Sequence, residues 1–347
     1  MTAPLLAARN VSVTFDIPRH GAWPWTPPDR LQAVRDASIT LEPGRTLGLV
    51  GESGSGKSTL ARAIVGTAPV SAGRVIWRGQ DIVAMGPSAR RAHGRHVQMV
   101  FQDPLAALNP RMNVGQIVAE PLTTHFPDLS RAQVRDKVGT IMERVGLLPA
   151  LVNRYPHEFS GGQCQRIGIA RALITEPDLV ICDEPVSALD VSVQAQVVNL
   201  LQGLQREMGL SLLFIAHDLS VVRHISHEIA VMYLGRIVEA APAPDLIANP
   251  RHPYTRALIA SVPIPSPKAE RARHRPVLEG ELPSPLAPPS GCVFRTRCPI
   301  ARPACAENVP QIEHVNDNHI VACPFHADTD GLRVPQDSLS IGTLTGP

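Results

Sequence analysis

Residues 51 to 59, Gly-Glu-Ser-Gly-Ser-Gly-Lys-Ser-Thr, hold the densest chemistry in the chain. They fit the pattern G-x-x-x-x-G-K-[ST], a phosphate-binding loop. Gly51, Gly54 and Gly56, with Ser53 and Ser55 between them, let backbone N–H groups turn inward around a polyphosphate. A helix opening at the end of the loop adds its partial positive charge. Lys57 is placed to reach the β- and γ-phosphates, Ser58 to hold Mg²⁺, and Thr59 to carry the loop into the helix. The chain has three lysines, at 57, 137 and 268, against 30 arginines. A lysine at this point is therefore not a product of composition.

The loop needs a strand before it and a helix after it. Leu47–Val50 reads as a short buried strand, and Thr59–Val65 as a helix of small and apolar residues. Val11–Phe15 and Ala37–Leu41 alternate apolar and polar residues as strands do. His96–Phe101 reads as a further strand, ending at Gln102. Residues 110 to 160 carry helical patterning, notably around Val134 to Val145, and read as an inserted lobe. Pro177–Glu184 holds a continuous apolar run closed by Asp183 and Glu184, the look of a central parallel strand. Val191–Met208 reads as an amphipathic helix, and Ser211–Ala216 as a buried strand ending at His217. Polar and glycine-rich residues thus gather at the carboxyl ends of strands, the edge where an open α/β sheet binds ligands.

Asp183 at the end of its strand can orient Mg²⁺ or a water on it. Glu184 can position and deprotonate an attacking water. Ser160-Gly161-Gly162-Gln163 forms an N–H-rich turn opening a helix, a second anion site. An adenine ring would need a flat apolar surface, for which Phe15 at the end of the first strand and Trp23 and Trp25 of the Pro- and Trp-rich 21–30 loop are the candidates.

At 347 residues, 44% of them hydrophobic, the chain can bury one large domain and a smaller one. A net charge of +2 and 4% aromatic residues give no nucleic-acid surface. No apolar run approaches the 18 or more residues of a spanning helix, and the first ten residues lack the form of a signal peptide. The expectation is a cytosolic chain whose membrane role comes through partners. Six cysteines in such a chain predict no structural disulfides. From residue 262 to 290 there are eight prolines and little apolar periodicity, which reads as a linker or wrapping segment. The expected boundaries are a nucleotide domain over 1–250 with its helical subdomain at about 110–165, a Pro-rich extension over 251–290, a Cys-rich module over 291–326 and a tail over 327–347.

Taken together, Phe159–Gln163 with the helix behind it, the Leu179–Glu184 strand, Ser187–Asp190, Gln102 and His217 resemble, in order, the motif set of the ABC ATPases. The resemblance implies an α/β P-loop NTPase of ABC type, a mixed β-core with a helical signature lobe. It makes Gln102 the residue that touches Mg²⁺ and the attacking water, His217 the contact to the γ-phosphate, Asp190 part of the D-loop, and Phe15 the favoured surface for adenine. It also implies that Ser160–Gln163 closes over the ATP of a second chain, so that one chain alone hydrolyses poorly.

A narrower resemblance follows from Phe101–Met112, His252–Pro265, Glu279–Pro285 and Gly291–Pro299. These are similar to ATPase subunits of oligopeptide and dipeptide permeases, the F-type subunit above all. That resemblance implies a D-type ATPase partner, two membrane subunits, an extracytoplasmic peptide-binding protein, and a peripheral position on the cytoplasmic face of the inner membrane. Oligopeptides are the expected cargo, with dipeptides or nickel chelates as alternatives. A soluble ABC ATPase of DNA repair or translation is the rival reading, and the chain lacks the long coiled-coil insertion that those carry. Cys292, Cys298, Cys305 and Cys323 run C-x5-C-x6-C-x17-C, the density of a metal staple for a segment too small to build a core. By resemblance they hold a [4Fe–4S] cluster. Zinc, with His314, His319 or His326, is the second option, and free buried thiols the third.

Overall fold

The computed structural model describes residues 3–19, 21, 23, 27–262 and 280–331. The chain begins with β1 (Leu6–Ile17), β2 (Asp29–Leu41) and β3 (Thr46–Val50), then α1 (Lys57–Val65), β4 (Ala72–Trp77), β5 (Gln80–Asp81), α2 (Pro87–His93) and β6 (Val97–Val100). Next come α3 (Val114–His125), α4 (Arg131–Arg144) and α5 (Gly161–Leu173), followed by β7 (Leu179–Asp183), α6 (Val191–Met208), β8 (Ser211–Ala216), α7 (Leu219–Ile225), β9 (Glu228–Tyr233) and β10 (Arg236–Pro242). The described chain closes with α8 (Ala243–Ala248), α9 (Pro253–Ser261), a short α10 (Ala304–Glu307), β11 (Glu313–Asn316), β12 (His319–Val321) and a 3-10 turn over His326–Gly331.

Among the described residues the strands form two sheets. The larger has the order β11-β12-β10-β9-β3-β8-β7-β6, and the smaller β2-β1-β4-β5. From β9 to β6 the neighbours in the larger sheet are parallel; β9/β10, β10/β12 and β12/β11 are antiparallel.

The apolar runs of the central strands have a direct cause. Side chains alternate between the two faces of a sheet, and here both faces are covered. On β8, Leu212, Phe214 and Ala216 enter one core while Leu213 and Ile215 enter the other. On β7, Val180 and Cys182 go with the first set, and Leu179 and Ile181 with the second. The first core packs the sheet against α3 to α8, and the second against α1 and the smaller sheet. A strand buried on both sides shows no polar alternation, which is why these segments read as continuous apolar stretches.

Several helices are set by their caps. Asn113, Ser130 and Ser160 each accept from a backbone N–H three residues on, and Gln116, Gln133 and Gln163 return the bond. Helix α6 ends at Gly209, whose φ of 66° is the left-handed cap that glycine adopts without strain. The expected span Val191–Met208 is the one observed, whereas α1 starts at Lys57 rather than Thr59. Strand β2 begins at Asp29, well before the expected Ala37, because pairing with β1 continues to Ile17 opposite Asp29. Trp25, most of the Pro-rich stretch (residues 263–279) and the tail beyond 331 lie outside the described residues.

The Cys-rich end does not stand apart. The β11–β12 hairpin extends the larger sheet through Glu239 opposite Val321, and Val293 and Phe294 are buried in the first core. Beneath the hairpin lies a closed polar network. Glu239, fully buried, accepts from His319 Nε2 at 2.7 Å, from Arg251 N at 2.6 Å and from His252 N at 2.9 Å. A buried carboxylate that loses a partner keeps its full desolvation cost. His319→Leu is therefore expected to lower the unfolding free energy by about 2 kcal/mol. It should also accelerate amide exchange across residues 313–321, as read by hydrogen–deuterium exchange.

Candidate functional site

The glycine-rich loop leaves β3 at Gly51 and enters α1 at Gly56, whose φ of 104° is left-handed. A Cβ at Gly56 would collide with the Ala33 carbonyl, so glycine is required there on two counts. Ser55 is buried and its carbonyl accepts from Gly235 N at 2.8 Å, which ties the loop to the β9–β10 turn. Ser53 and Gly54 are exposed at the loop's crest, and Ser58 and Thr59 are half-buried in the first helical turn. The first N–H groups of that turn have no acceptor within the helix and face the loop's concavity.

Lys57 is buried. Its Nζ donates to the carbonyls of Gly51 at 2.8 Å and Glu52 at 2.9 Å. Burial lowers its pKa from the ordinary value, and the carboxylates of Glu184, Asp183 and Glu52 act the other way. A desolvated ammonium braced by two carbonyls is a strong donor to any phosphate entering the loop.

The second group lies at the end of β7. Asp183 is 2% exposed and its Oδ1 accepts from the Ser58 hydroxyl at 2.7 Å. Burial pushes the Asp183 carboxyl up, the Ser58 hydrogen bond pulls it down, and the neighbouring Glu184 raises it again. A hydroxyl and a carboxylate held together in this way are the hard oxygen donors that Mg²⁺ takes. Glu184 follows with φ 47°, a left-handed turn that takes its side chain off the strand. Its Oε2 accepts from Gln102 Nε2 at 2.9 Å and lies 3.5 Å from His217 Nδ1. Behind it Glu184, Ser187, Gln194, His217 and Asp218 line a cavity of ≈ 50 Å³, wide enough for water. Loop, Asp183, Glu184, Gln102 and His217 thus converge on one edge of the sheet.

Other expected site residues lie elsewhere on the chain. Ser160, Gly161 and Gln163 are exposed and Gly162 half-buried at the start of α5, and the hydrogen bonds of Ser160 and Gln163 are those of their own capping box. Asp190 stands at the N-cap position of α6 with no side-chain capping bond and is exposed. Phe15 is half-buried on β1, opposite Leu31, and packs against the second core. Trp23 is 70% exposed.

The four C-terminal cysteines do meet, but not as expected. Cys292, Cys298, Cys305 and Cys323 line one cavity of ≈ 360 Å³. All are free thiols. Burial raises the Cys292 pKa and pushes Cys298 to about 11 and Cys323 to about 12. Among the described residues no group of three or more His, Cys, Asp or Glu could hold a metal ion, so the expected cluster on these four cysteines is corrected. The zinc set is corrected as well. His314, His319 and His326 are not on those walls: His319 is committed to Glu239, and His326 Nε2 lies 3.5 Å from Glu313.

Two residues at the site were not foreseen. The Tyr254 hydroxyl accepts from the Glu52 backbone N–H at 2.8 Å, and Arg297 Nη1 donates to Glu52 Oε2 at 2.7 Å. Both belong to segments whose sequence had stood out, His252–Pro265 and Gly291–Pro299, but contacts between residues 202 and 245 positions apart carry no local signal.

Comparison with known proteins places this geometry. The family model "ABC transporter" matches residues 34–187, and "Oligopeptide/dipeptide transporter, C-terminal region" matches 238–305. The chain is 60% identical over 319 residues to the oligopeptide transport ATP-binding protein OppF of Salmonella typhimurium, covering 92% of this chain and 95% of that one. It is 49% identical to the oligopeptide transport ATP-binding protein AppF of Bacillus subtilis, covering 93% and 98%. Among solved structures, the dimeric post-hydrolysis ATP-binding cassette MJ0796 with ADP and Pi superposes with a TM-score of 0.61 at 24% identity, covering 69% of this chain and 98% of that one. The fold is that of an ABC ATPase. The chain belongs to the oligopeptide transport ATP-binding proteins of the ABC transporter family.

The buried Asp183 makes stability depend on pH. Its folded pKa lies above the ordinary carboxylate value, so the stability present with the proton on is lost as pH rises through that raised value. In magnesium-free buffer at pH 7, Asp183→Asn is expected to raise the melting temperature by about 2 °C. The gain should shrink as the pH falls towards 4. Calorimetry across that range checks it.

Proposed function

We propose that this chain is the ATP-hydrolysing, energy-coupling subunit of an ABC importer for oligopeptides. The observation that carries the reading is the position of Glu184. Its carboxylate sits between the Gln102 amide and His217, beside the Ser58–Asp183 pair and at the end of the Lys57 loop.

The roles follow from that arrangement. Lys57 and the N–H groups of residues 51–59 bind and orient the ATP phosphates. Ser58 and Asp183, with Gln102 alongside, would hold Mg²⁺; when bound, it neutralises charge on the β- and γ-phosphates. Glu184 accepts the proton of the attacking water while Gln102 fixes that water's direction. The His217 imidazole donates to the γ-phosphate and so places the charge that develops there. Phe15 supplies the apolar surface for adenine.

Ser160–Gln163 supports a site shared between two chains. Ser160, Gly161 and Gln163 are exposed where the turn opens α5, which leaves this surface open to the ATP of a second ATPase subunit, with Asp190 at the same boundary. The preferred second subunit is a D-type chain in a heterodimer. Closure of the pair drives two membrane permease subunits between their access states, and an extracytoplasmic binding protein delivers the peptide. Among the described residues no helix is long and apolar enough to cross a membrane, in keeping with a peripheral place on the cytoplasmic face.

In the assembled transporter, Glu184→Gln is expected to keep ATP binding and lose turnover by at least about 100-fold. Nucleotide binding and phosphate release measured on the same preparation check both halves. Turnover near the wild-type rate overturns the assignment of Glu184.

A further inference from the structure

Glu52 lies inside the phosphate loop, yet the nucleotide motif asks for no particular side chain at its position. In this chain it is held from three directions. Its carbonyl accepts from Lys57 Nζ at 2.9 Å, its backbone N–H donates to the Tyr254 hydroxyl at 2.8 Å, and its carboxylate takes Arg297 Nη1 at 2.7 Å. The last two anchors come from beyond the nucleotide motifs, Tyr254 from α9 and Arg297 from the residue before Cys298.

These anchors are themselves fixed. The Arg297 side chain is 8% exposed, and its guanidinium carbon stands 6.0 Å from the centre of the Tyr233 ring. Burial works against the Arg297 charge, but the Glu52 carboxylate and the Tyr233 hydroxyl together outweigh it and hold the guanidinium above its ordinary range. Tyr254, Tyr233 and Phe294 meet edge-on or tilted, with ring centres 4.7 to 5.4 Å apart. They join α9, β9 and the cysteine-bearing segment into one rigid block. Leu282, just upstream, packs against the same core.

The electrostatics give this block a task. Glu52 stands close enough to Lys57 for its carboxylate to stabilise the ammonium. A carboxylate free to swing would compete with the incoming phosphates for that ammonium and would have to be withdrawn during binding. Arg297 occupies the carboxylate instead, and Tyr254 fixes the backbone behind it. The loop then meets ATP already in shape, and its ordering cost does not fall on nucleotide binding.

We infer that Arg297 and Tyr254 are positioning residues of the ATP site, clamping Glu52 so that the phosphate loop is preorganised and Lys57 remains available to the nucleotide. Neither touches ATP; both act through Glu52. The cysteine-bearing segment thereby becomes part of the nucleotide site, since Cys298, beside Arg297, lines the four-thiol cavity.

The test uses the assembled transporter with the full-length chain and reads KM for ATP, kcat and melting temperature. Arg297→Ala is expected to raise KM about tenfold, the scale of one hydrogen bond to a charged group, with kcat within about twofold of wild type. Adding Glu52→Gln to Arg297→Ala removes the competing carboxylate and should recover most of the lost affinity. A merely structural role for Arg297 does not allow that rescue. Tyr254→Phe keeps the ring and deletes the hydroxyl, and should raise KM about threefold without changing the melting temperature. If Arg297→Ala does not assemble, Arg297→Lys and Tyr254→Phe decide the matter. An unchanged KM in both, or a double variant no better than Arg297→Ala, overturns the inference. The inference rests on ATP hydrolysis at this site, and wild-type turnover measured alongside separates a failure of that premise from a failure of the clamp.

Discussion

The hydrogen bond from Ser58 to Asp183, 2.7 Å long and spanning 125 residues of sequence, is the constraint on which the rest of the site depends. Its two ends belong to β3 with its loop and to β7, and β8 lies between these strands. The bond therefore fixes the phosphate loop against the strand that carries Glu184, across an intervening strand. If β7 slipped by one residue against β8, Asp183 would point into a core and Glu184 would take its place. Parallel pairing of Asp183 with Ile215, and of Val50 with Ala216, excludes that slip. Burial of both sheet faces sets this register, since each strand sends alternate side chains into separate cores.

That burial has an electrostatic consequence. Lys57 and Asp183 are both almost fully enclosed, and for each the charged form is disfavoured by burial before any partner is counted. The site is thus held in a state that an incoming phosphate and a hard cation relieve. The C-terminal segment contributes to the same balance from the other side. Arg297 neutralises Glu52, so that the negative charge beside the loop is not left to the lysine alone. A chain with only three lysines commits one of them to this point.

Much of this was legible in the sequence. The loop, the acid pair at the end of β7, Gln102 and His217 each follow or terminate a short continuous apolar run that reads as a buried strand, so their convergence at one sheet edge followed from the fold class. Strand pairing beyond the apolar pattern was not legible: β2 runs back to Asp29 because its partner β1 is long. The Cys-rich end was the least legible part. Spacing predicted a metal staple, but the thiols stand around a cavity, and the segment is secured instead by a strand pairing, a buried Glu239–His319 bond and an aromatic cluster. Arg297 and Tyr254 escaped notice because their contacts to Glu52 are made across more than 200 residues, and a pattern read along the chain does not register them.

The measurement that bears most directly on energy coupling is uptake of labelled di-, tri- and pentapeptides by cells whose copy of this chain carries Lys57→Ala, with the level of assembled transporter followed in parallel. Loss of uptake of the longer peptides at an unchanged transporter level is the expected result. Uptake of every peptide at the wild-type rate would contradict the assignment of this chain as the motor of an oligopeptide importer.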